Sequence, residues 1–481
     1  MRRLHRAVFH RGALHRAVFL MLALSIAGCA GLPPKPKPVV LKSDAPLSDG
    51  LGAGGVWPAA DWWTQYQDPT LDRLVEMAIA SSPSLAAAQA RFESARQEVR
   101  VASAASGAHL QANGDFSRQR LSDNGIFPPR LLGFDWYNLA DLGLQATYTF
   151  DWWGKQRDSV QAALDEAHAS QADRSAAALM LASSVADTYF GWQADRNRLA
   201  LARERETAVL REGAIAAVRV RAELDPKDDL QRAGSALAEV REQIAVLDGS
   251  ANLRVVALAA LVGHAAQELP PLTEKPLPTV GSALPDDVRI DLIARRADIT
   301  ASRWRVEAAE ESRASARAEF FPDISINALI GVQSVKMSTL LNYGSRVPSI
   351  GAAAHLPLFD AGLLKARYGA SQAALDQAVA SYQDAVIGAA RDVATQASTL
   401  AEIAAQRTQR AIELEAALEL KASAAARVRQ GVTDSRMELT ATESWLEQRD
   451  ALLLLDAAAV AADIGLKRAL GGGFERTKTT P

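Results

Sequence analysis

The chain has 481 residues, with 53 Lys and Arg against 56 Asp and Glu, a formal net charge of −3 and no long block of one sign, so a nucleic-acid partner has no compositional support. Apolar residues make up 48%, largely through alanine, and no apolar run of membrane-helix length appears after residue 30, so a bilayer crossing would use strands. A single cysteine, Cys29, leaves no internal disulfide and no cysteine-based catalysis in the rest of the chain.

In chain order, Arg2, Arg3, Arg6, Arg11 and Arg16 precede an apolar stretch from Ala17 to Leu24, the pattern of a secretory signal peptide and too short to span a bilayer. Ile26, Ala27, Gly28 and Cys29 then resemble the lipobox of bacterial lipoproteins. That resemblance implies removal of residues 1–28, a diacylglycerol on the Cys29 sulfur and an N-acyl chain. Ala30, standing where an aspartate would retain such a protein, implies delivery to the outer membrane. The plain alternative is an incidental or buried thiol. Pro33, Pro34, Lys35, Pro36, Lys37 and Pro38 cannot hold a helix and read as an extended tether, so residues 29–60 form a lipidated N-terminus.

From about residue 61 the chain contains the same unit twice. Aligning Leu85 with Ile299 places Ala87 on Ala301, Arg91 on Arg305, Glu93 on Glu307, Ala95 on Ala309 and Asn113 on Asn327. Leu85, Ala88, Phe92, Ala95, Val99 and Ala102 advance by threes and fours. Ile299, Ser302, Val306, Ala309, Arg313 and Ala316 do the same, a heptad seam that Arg313 interrupts.

After each seam the period drops to two. Leu110, Ala112, Gly114 and Phe116 alternate with Gln111, Asn113, Asp115 and Ser117; Ile324, Ile326, Ala328, Ile330 and Val332 alternate with mainly polar neighbours. A second alternating stretch follows in each copy, Leu142 to Phe150 and Ile350 to Leu358. Strands of about ten residues with one apolar and one polar face suit a transmembrane barrel and equally suit a soluble sheet with one wet face. The lipobox favours the first. Four strands cannot close around a pore, whereas three copies would supply twelve.

Long helical stretches, roughly 152–262 and 362–470, follow each strand pair, rich in Ala, Gln, Glu and Arg and poor in proline. A helix over about 152–221 would extend roughly 100 Å. Breaks fall at Glu223, Leu224, Asp225 and Pro226 in the first copy and at Gln430, Gly431, Val432 and Thr433 in the second. The expected fold is therefore α+β with two internal repeats, residues 61–280 and 281–474, before a tail at 475–481. Each repeat reads helix, strand, strand, long helix, turn, long helix.

Local motifs sharpen this order. Phe150, Asp151, Trp152, Trp153 and Gly154 open the first long helix; Leu356, Pro357, Leu358, Phe359, Asp360, Ala361 and Gly362 open the second. Asp291, Leu292, Ile293, Ala294, Arg295, Arg296, Ala297, Asp298 and Ile299 begin the second repeat, and Arg468, Ala469, Leu470, Gly471, Gly472 and Gly473 close it. Together they resemble the TolC-like outer-membrane factors, particularly the lipidated branch similar to NodT and OprM. Ala297 replaces the usual proline, and Trp152 stands where Leu is commoner.

The resemblance implies a homotrimer in the outer membrane, its twelve-stranded β-barrel continued by an α-helical coiled-coil barrel into the periplasm. It would serve as a passive efflux duct, joined by a periplasmic adaptor to an inner-membrane pump of the RND type, with no cofactor beyond the lipid. Gln111, Asn113, Gln145 and Asn327 would face the lumen. Arg219, Leu224, Arg427, Gly431 and Arg436 would form the periplasmic tips that meet the adaptor. Two departures stand out. The family's Arg-aromatic-x-x-Gly turn lacks its aromatic ring at Val428, and Glu223 stands where the first tip should have glycine, so that tip is expected to turn differently. Where relatives narrow the pore with an aspartate, this chain offers Met437, Glu438 and Thr440.

An enzyme finds little support. His109, His168, His264 and His355, the histidines after residue 28, have no metal-ligand spacing, and the acidic residues sit in mixed-charge helices that read as solvated faces. A lipid-anchored coiled-coil scaffold is the second alternative, set against the four alternating stretches it would not need. Within the channel class, a duct for type I protein secretion stays open, because specificity resides mainly in the pump.

Overall fold

The computed structural model describes residues 38–47, 54–281, 284–285 and 288–475. Cys29, the signal stretch, most of the tether and the last six residues lie outside them. Two compact units result. One contains residues 94–167 and 304–380; the other contains 41–93, 168–303 and the chain from 381 onward.

Both copies of the repeat run through the same order of strands and main helices. The first has helices α1 (Pro69–Ser81) and α2 (Pro83–Ala105), strand β1 (His109–Arg120), a short helix α3 (Pro129–Leu132), strand β2 (Trp136–Phe150), and helices α4 (Lys155–Arg221) and α5 (Lys227–Val262). The second has α6 (Val288–Arg295), α7 (Ala297–Ala318), β3 (Asp323–Ser334), β4 (Ser349–His355), α8 (Leu363–Arg429) and α9 (Ser435–Ala469). Helices α4 and α8 are each 67 residues long. Pro83 and Ala297 both occupy the first position of their helix, where a missing N–H is harmless, so replacement of the expected proline leaves the helix start in place.

In the first unit the strands form one antiparallel sheet in the order β1-β2-β3-β4. β4 is shorter than its alternation suggested. It ends at His355, and the run from Leu356 to Leu358 contains Pro357, which has no N–H for a ladder. At the root of the sheet Trp153 stacks on Phe321 with ring centres 4.6 Å apart and donates to the Pro322 carbonyl at 3.0 Å. Arg313, the charge in the apolar seam, is buried and satisfied: it donates to Gln372 and to Glu310, each at 3.2 Å. The seam therefore continues through it as a polar layer.

The second unit holds the main core, with Leu71, Leu74, Val75 and Ala78 of α1 packed with Val185, Tyr189, Leu258, Val262, Val460 and Ile464. Asp68 caps α1 by accepting from Thr70 N at 3.0 Å, and its carboxylate also accepts from buried Tyr189 at 2.6 Å and from Lys275 at 2.7 Å. Burial pushes the Asp68 carboxyl up, but these three donors outweigh it and hold the group below the usual carboxylate value. One finding corrects the reading of apolar runs: α5 is long and apolar enough to cross a membrane by length and composition, with mean hydropathy 1.6 over its most apolar window. Its Val240, Leu247, Ala251, Leu258 and Val262 are buried at near-heptad spacing while Val246, Leu253 and Val256 stay exposed, so the helix packs through one seam.

Candidate channel wall and helical tips

The sheet places polar side chains mainly on one face and apolar ones mainly on the other. Antiparallel register sets Gln111 opposite Gln145, Asn113 opposite Gly143, and Thr147 opposite both His109 and Asn327. Because directly paired residues share a face, Gln111, Asn113, Gln145 and Asn327 all project from one side. Their side chains connect across strands. Gln111 and Asn113 each donate to Gln145 Oε1 at 3.3 Å, Thr147 donates to Asn327 at 3.1 Å, and Gln333 donates to Asp141 at 2.5 Å.

The opposite face carries Leu110, Ala112 and Phe116 from β1, Leu142, Leu144, Tyr148 and Phe150 from β2, and Ile324, Ile326, Ile330 and Val332 from β3. Much of it is exposed in the single chain: Leu110 at 71%, Ile330 at 74% and Ile350 at 80%. A face this apolar left open to water is unusual for a soluble sheet. Gly143 lies opposite Gly331, and the two backbones approach so closely that a Cβ on Gly331 would sit 2.9 Å from the Leu142 carbonyl.

In the second unit, the turn between α4 and α5 and the turn between α8 and α9 are built alike. Leu224 N donates to Arg219 O at 2.9 Å and Glu223 N to Val220 O at 3.1 Å; Val432 N donates to Arg427 O and Gly431 N to Val428 O, each at 3.0 Å. Both are Schellman turns with a left-handed residue, Glu223 at φ 59° and Gly431 at φ 69°. The expectation of a different first turn is thus overturned. The backbone hydrogen bonds dictate the same geometry, and Glu223 adopts it despite its Cβ.

The tips differ in their charges. Arg219 makes a two-pronged ion pair with Asp225 at 2.8 and 3.0 Å, and Arg436 reaches the same carboxylate at 3.2 Å and Asp229 at 3.8 Å. Asp225 therefore ties the second hairpin to the first. Hydrogen bonding from Arg219, opposed by a desolvation penalty and aided by the charges of Arg219 and Arg436, holds its carboxyl below the ordinary range. Arg427 stands where Arg219 does in the first copy, but Thr433 replaces the aspartate, and Arg427 is exposed. Leu224 and Val432 are also exposed, at 65% and 70%.

Of the constriction candidates, Met437 and Thr440 lie on the exposed stripe of α9, Glu438 is half-buried, and Leu439 turns into the packing. The sequence reading missed Asp225 and Asp229. Their signal was an acidic pair flanking Pro226, which reads equally as ordinary helix-start chemistry. Among the described residues, no group of three or more His, Cys, Asp or Glu side chains is arranged to hold a metal ion.

The family model for Outer membrane efflux protein matches residues 74–264 and 289–472. The multidrug resistance outer membrane protein MdtP of Escherichia coli strain K12 is 32% identical over 448 residues, covering 92% of this chain and 91% of MdtP. The putative multidrug resistance outer membrane protein MdtQ of Shigella flexneri is 30% identical over 471 residues, covering 95% and 97%. Among solved structures, the outer membrane protein VceC of Vibrio cholerae is 31% identical and aligns with a TM-score of 0.79 over 87% of this chain and 100% of VceC.

Proposed function

The chain belongs to the outer membrane efflux protein family and is an outer-membrane efflux channel protein rather than an enzyme, and on that premise we propose that three copies join their sheets into one twelve-stranded barrel. The observation that carries this reading is the four-stranded sheet with β1 and β4 at its edges, one face polar and linked by hydrogen bonds, the other apolar and exposed. Unpaired edges are not tolerated in hydrocarbon, so β4 of one copy pairs with β1 of the next. The polar face, with Gln111, Asn113, Gln145 and Asn327, then lines a water-filled lumen, and the apolar face meets lipid.

The two repeats, residues 61–280 and 281–474, supply equivalent halves of each subunit, and the long helices continue the duct as a coiled-coil barrel in the periplasm. Cys29 bears a diacylglycerol and an N-acyl chain that anchor the N-terminus to the outer membrane. The tips receive a periplasmic adaptor, which couples the passive duct to an inner-membrane pump of the RND type. Exposed Leu224, Arg427 and Gly431 offer the contact surface; Arg219 and Arg436, already paired with Asp225, hold the hairpins together. Opening separates the hairpins and breaks the Arg436–Asp225 link, a two-state motion that adaptor binding biases. Met437, Glu438 and Thr440 line the narrow end. The cargo is small molecules, as the names of the MdtP and MdtQ relatives suggest through the words multidrug resistance.

The test is the mass of the purified mature protein in neutral detergent together with its gel mobility before and after heating. A trimer whose mobility shifts on heating is expected. A monomer without a heat-modifiable form refutes the closed barrel.

A further inference from the structure

The apolar face of the sheet carries charge at one end only. Its charged strand residues are Arg118 and Arg120 of β1, both next to the turn into residues 121–135. Arg346 joins them on this face, set opposite Val332 by an isolated antiparallel bridge that continues the β3–β4 register. The Arg346 guanidinium lies 4.3 Å from the centre of the Tyr343 ring, and Arg118 lies 5.6 Å from that of Trp136. Arg120 lies 3.8 Å from exposed Asp123, a loose pair. Beside Arg346 runs an open groove of about 820 Å³, lined by Leu142, Leu144, Ile330, Val332, Tyr343 and Arg346.

We propose that this groove binds a phosphorylated membrane lipid, with an acyl chain along Leu142, Leu144, Ile330 and Val332 and the phosphate on Arg346. The inference rests on the reading that the apolar face meets lipid. In that setting a guanidinium at the level of Val332 and Leu142 is costly unless it reaches water or an anion. The planar fork of arginine matches two phosphate oxygens, and the Tyr343 ring holds its plane in place. Arg118 and Arg120 add positive charge farther out along the same face, where a headgroup would extend. A general interfacial girdle of arginine and aromatic residues would hold any lipid alike; a phosphate site flanked by Arg118 and Arg120 disfavours a headgroup that carries its own cation and so selects a net anionic one.

Full-length protein, stripped of lipid in neutral detergent, is titrated with phosphatidylglycerol or phosphatidylcholine and weighed intact by native mass spectrometry. Retention of one phosphatidylglycerol per chain is expected, with phosphatidylcholine retained severalfold less. Arg346→Gln lowers phosphatidylglycerol retention by about fivefold, the effect of losing one basic residue near an anionic lipid. Tyr343→Leu lowers it less and serves if the first variant does not assemble. Equal retention of both lipids, or undiminished retention in both variants, overturns the site. A bimane label on Leu110→Cys, probed with brominated phosphatidylcholine, separates the two levels of the argument. Quenching without headgroup preference defeats only the lipid site, whereas absence of quenching defeats the reading of the apolar face itself.

Discussion

Glu223 and Gly431 hold the same place in two superimposable turns, which permits a reciprocal exchange of residues as a test of how the tips are built. At φ 59° Glu223 keeps its Cβ close to the following carbonyl, a strain of about 1–2 kcal/mol that glycine does not feel. Glycine gives back about 0.4–1 kcal/mol through the greater freedom of its unfolded chain. Glu223→Gly should therefore stabilise the first turn by roughly 0.5–1 kcal/mol, and Gly431→Glu should weaken the second by a similar amount. The reporter is amide hydrogen exchange. Leu224 N and Val432 N close the two turns onto Arg219 O and Arg427 O, and their protection should rise about two- to fivefold in Glu223→Gly and fall by as much in Gly431→Glu. Faster exchange in Glu223→Gly, or no change in either variant, would show that the left-handed conformation does not govern tip stability.

Three further outcomes follow from the same structure. Asp225→Asn removes the carboxylate shared by Arg219 and Arg436, so spin labels on the two hairpins should move apart; because this carboxyl is depressed, the link is complete above the unfolded value of about 3.9 and is lost as pH falls through the lower folded-state value. Distances that are pH-independent down to full protonation would oppose that role. Asp165 is pushed up to about 6, chiefly by burial, with the charges of Glu307 and Glu311 raising it further against the hydrogen bond from Gln161. A raised carboxyl contributes stability below its unfolded value that is lost as pH rises through about 6, so wild-type melting should fall more steeply from about pH 4 to 6 than that of Asp165→Asn; parallel profiles would refute this. Gly331→Ala forces a Cβ within 2.9 Å of Leu142 O and should cost about 1–3 kcal/mol, lowering the temperature of the heat-induced mobility shift; an unchanged shift temperature would refute the close approach of the two backbones.

Features with a local periodic signature were legible in the sequence. The change of period from 3.5 to 2 marked alternation from Leu110 and Ile324, within a residue of the observed starts of β1 at His109 and β3 at Asp323, and the polar face of the sheet followed from alternation alone. The end of β4 was misjudged because apolar alternation persists through Pro357, where ladder bonding stops. Glu223 misled for a different reason: residue preference describes the strain of a conformation, while neighbouring hydrogen bonds decide whether the conformation forms. The partner of Arg436 lies more than two hundred residues away in sequence at Asp225, so no local pattern announced it. The groove beside Arg346 likewise depends on residues 335–348 folding back along β3, a pairing set by Val347 N donating to Gly331 O.

The most direct test of the duct is single-channel recording from the purified mature protein in planar bilayers, run beside the Asp225→Asn variant. Discrete conductance steps from a trimer are predicted, with a higher open probability once the Arg436–Asp225 link is removed. A trimer that stays silent in both forms, or a monomer that never conducts, would contradict the account.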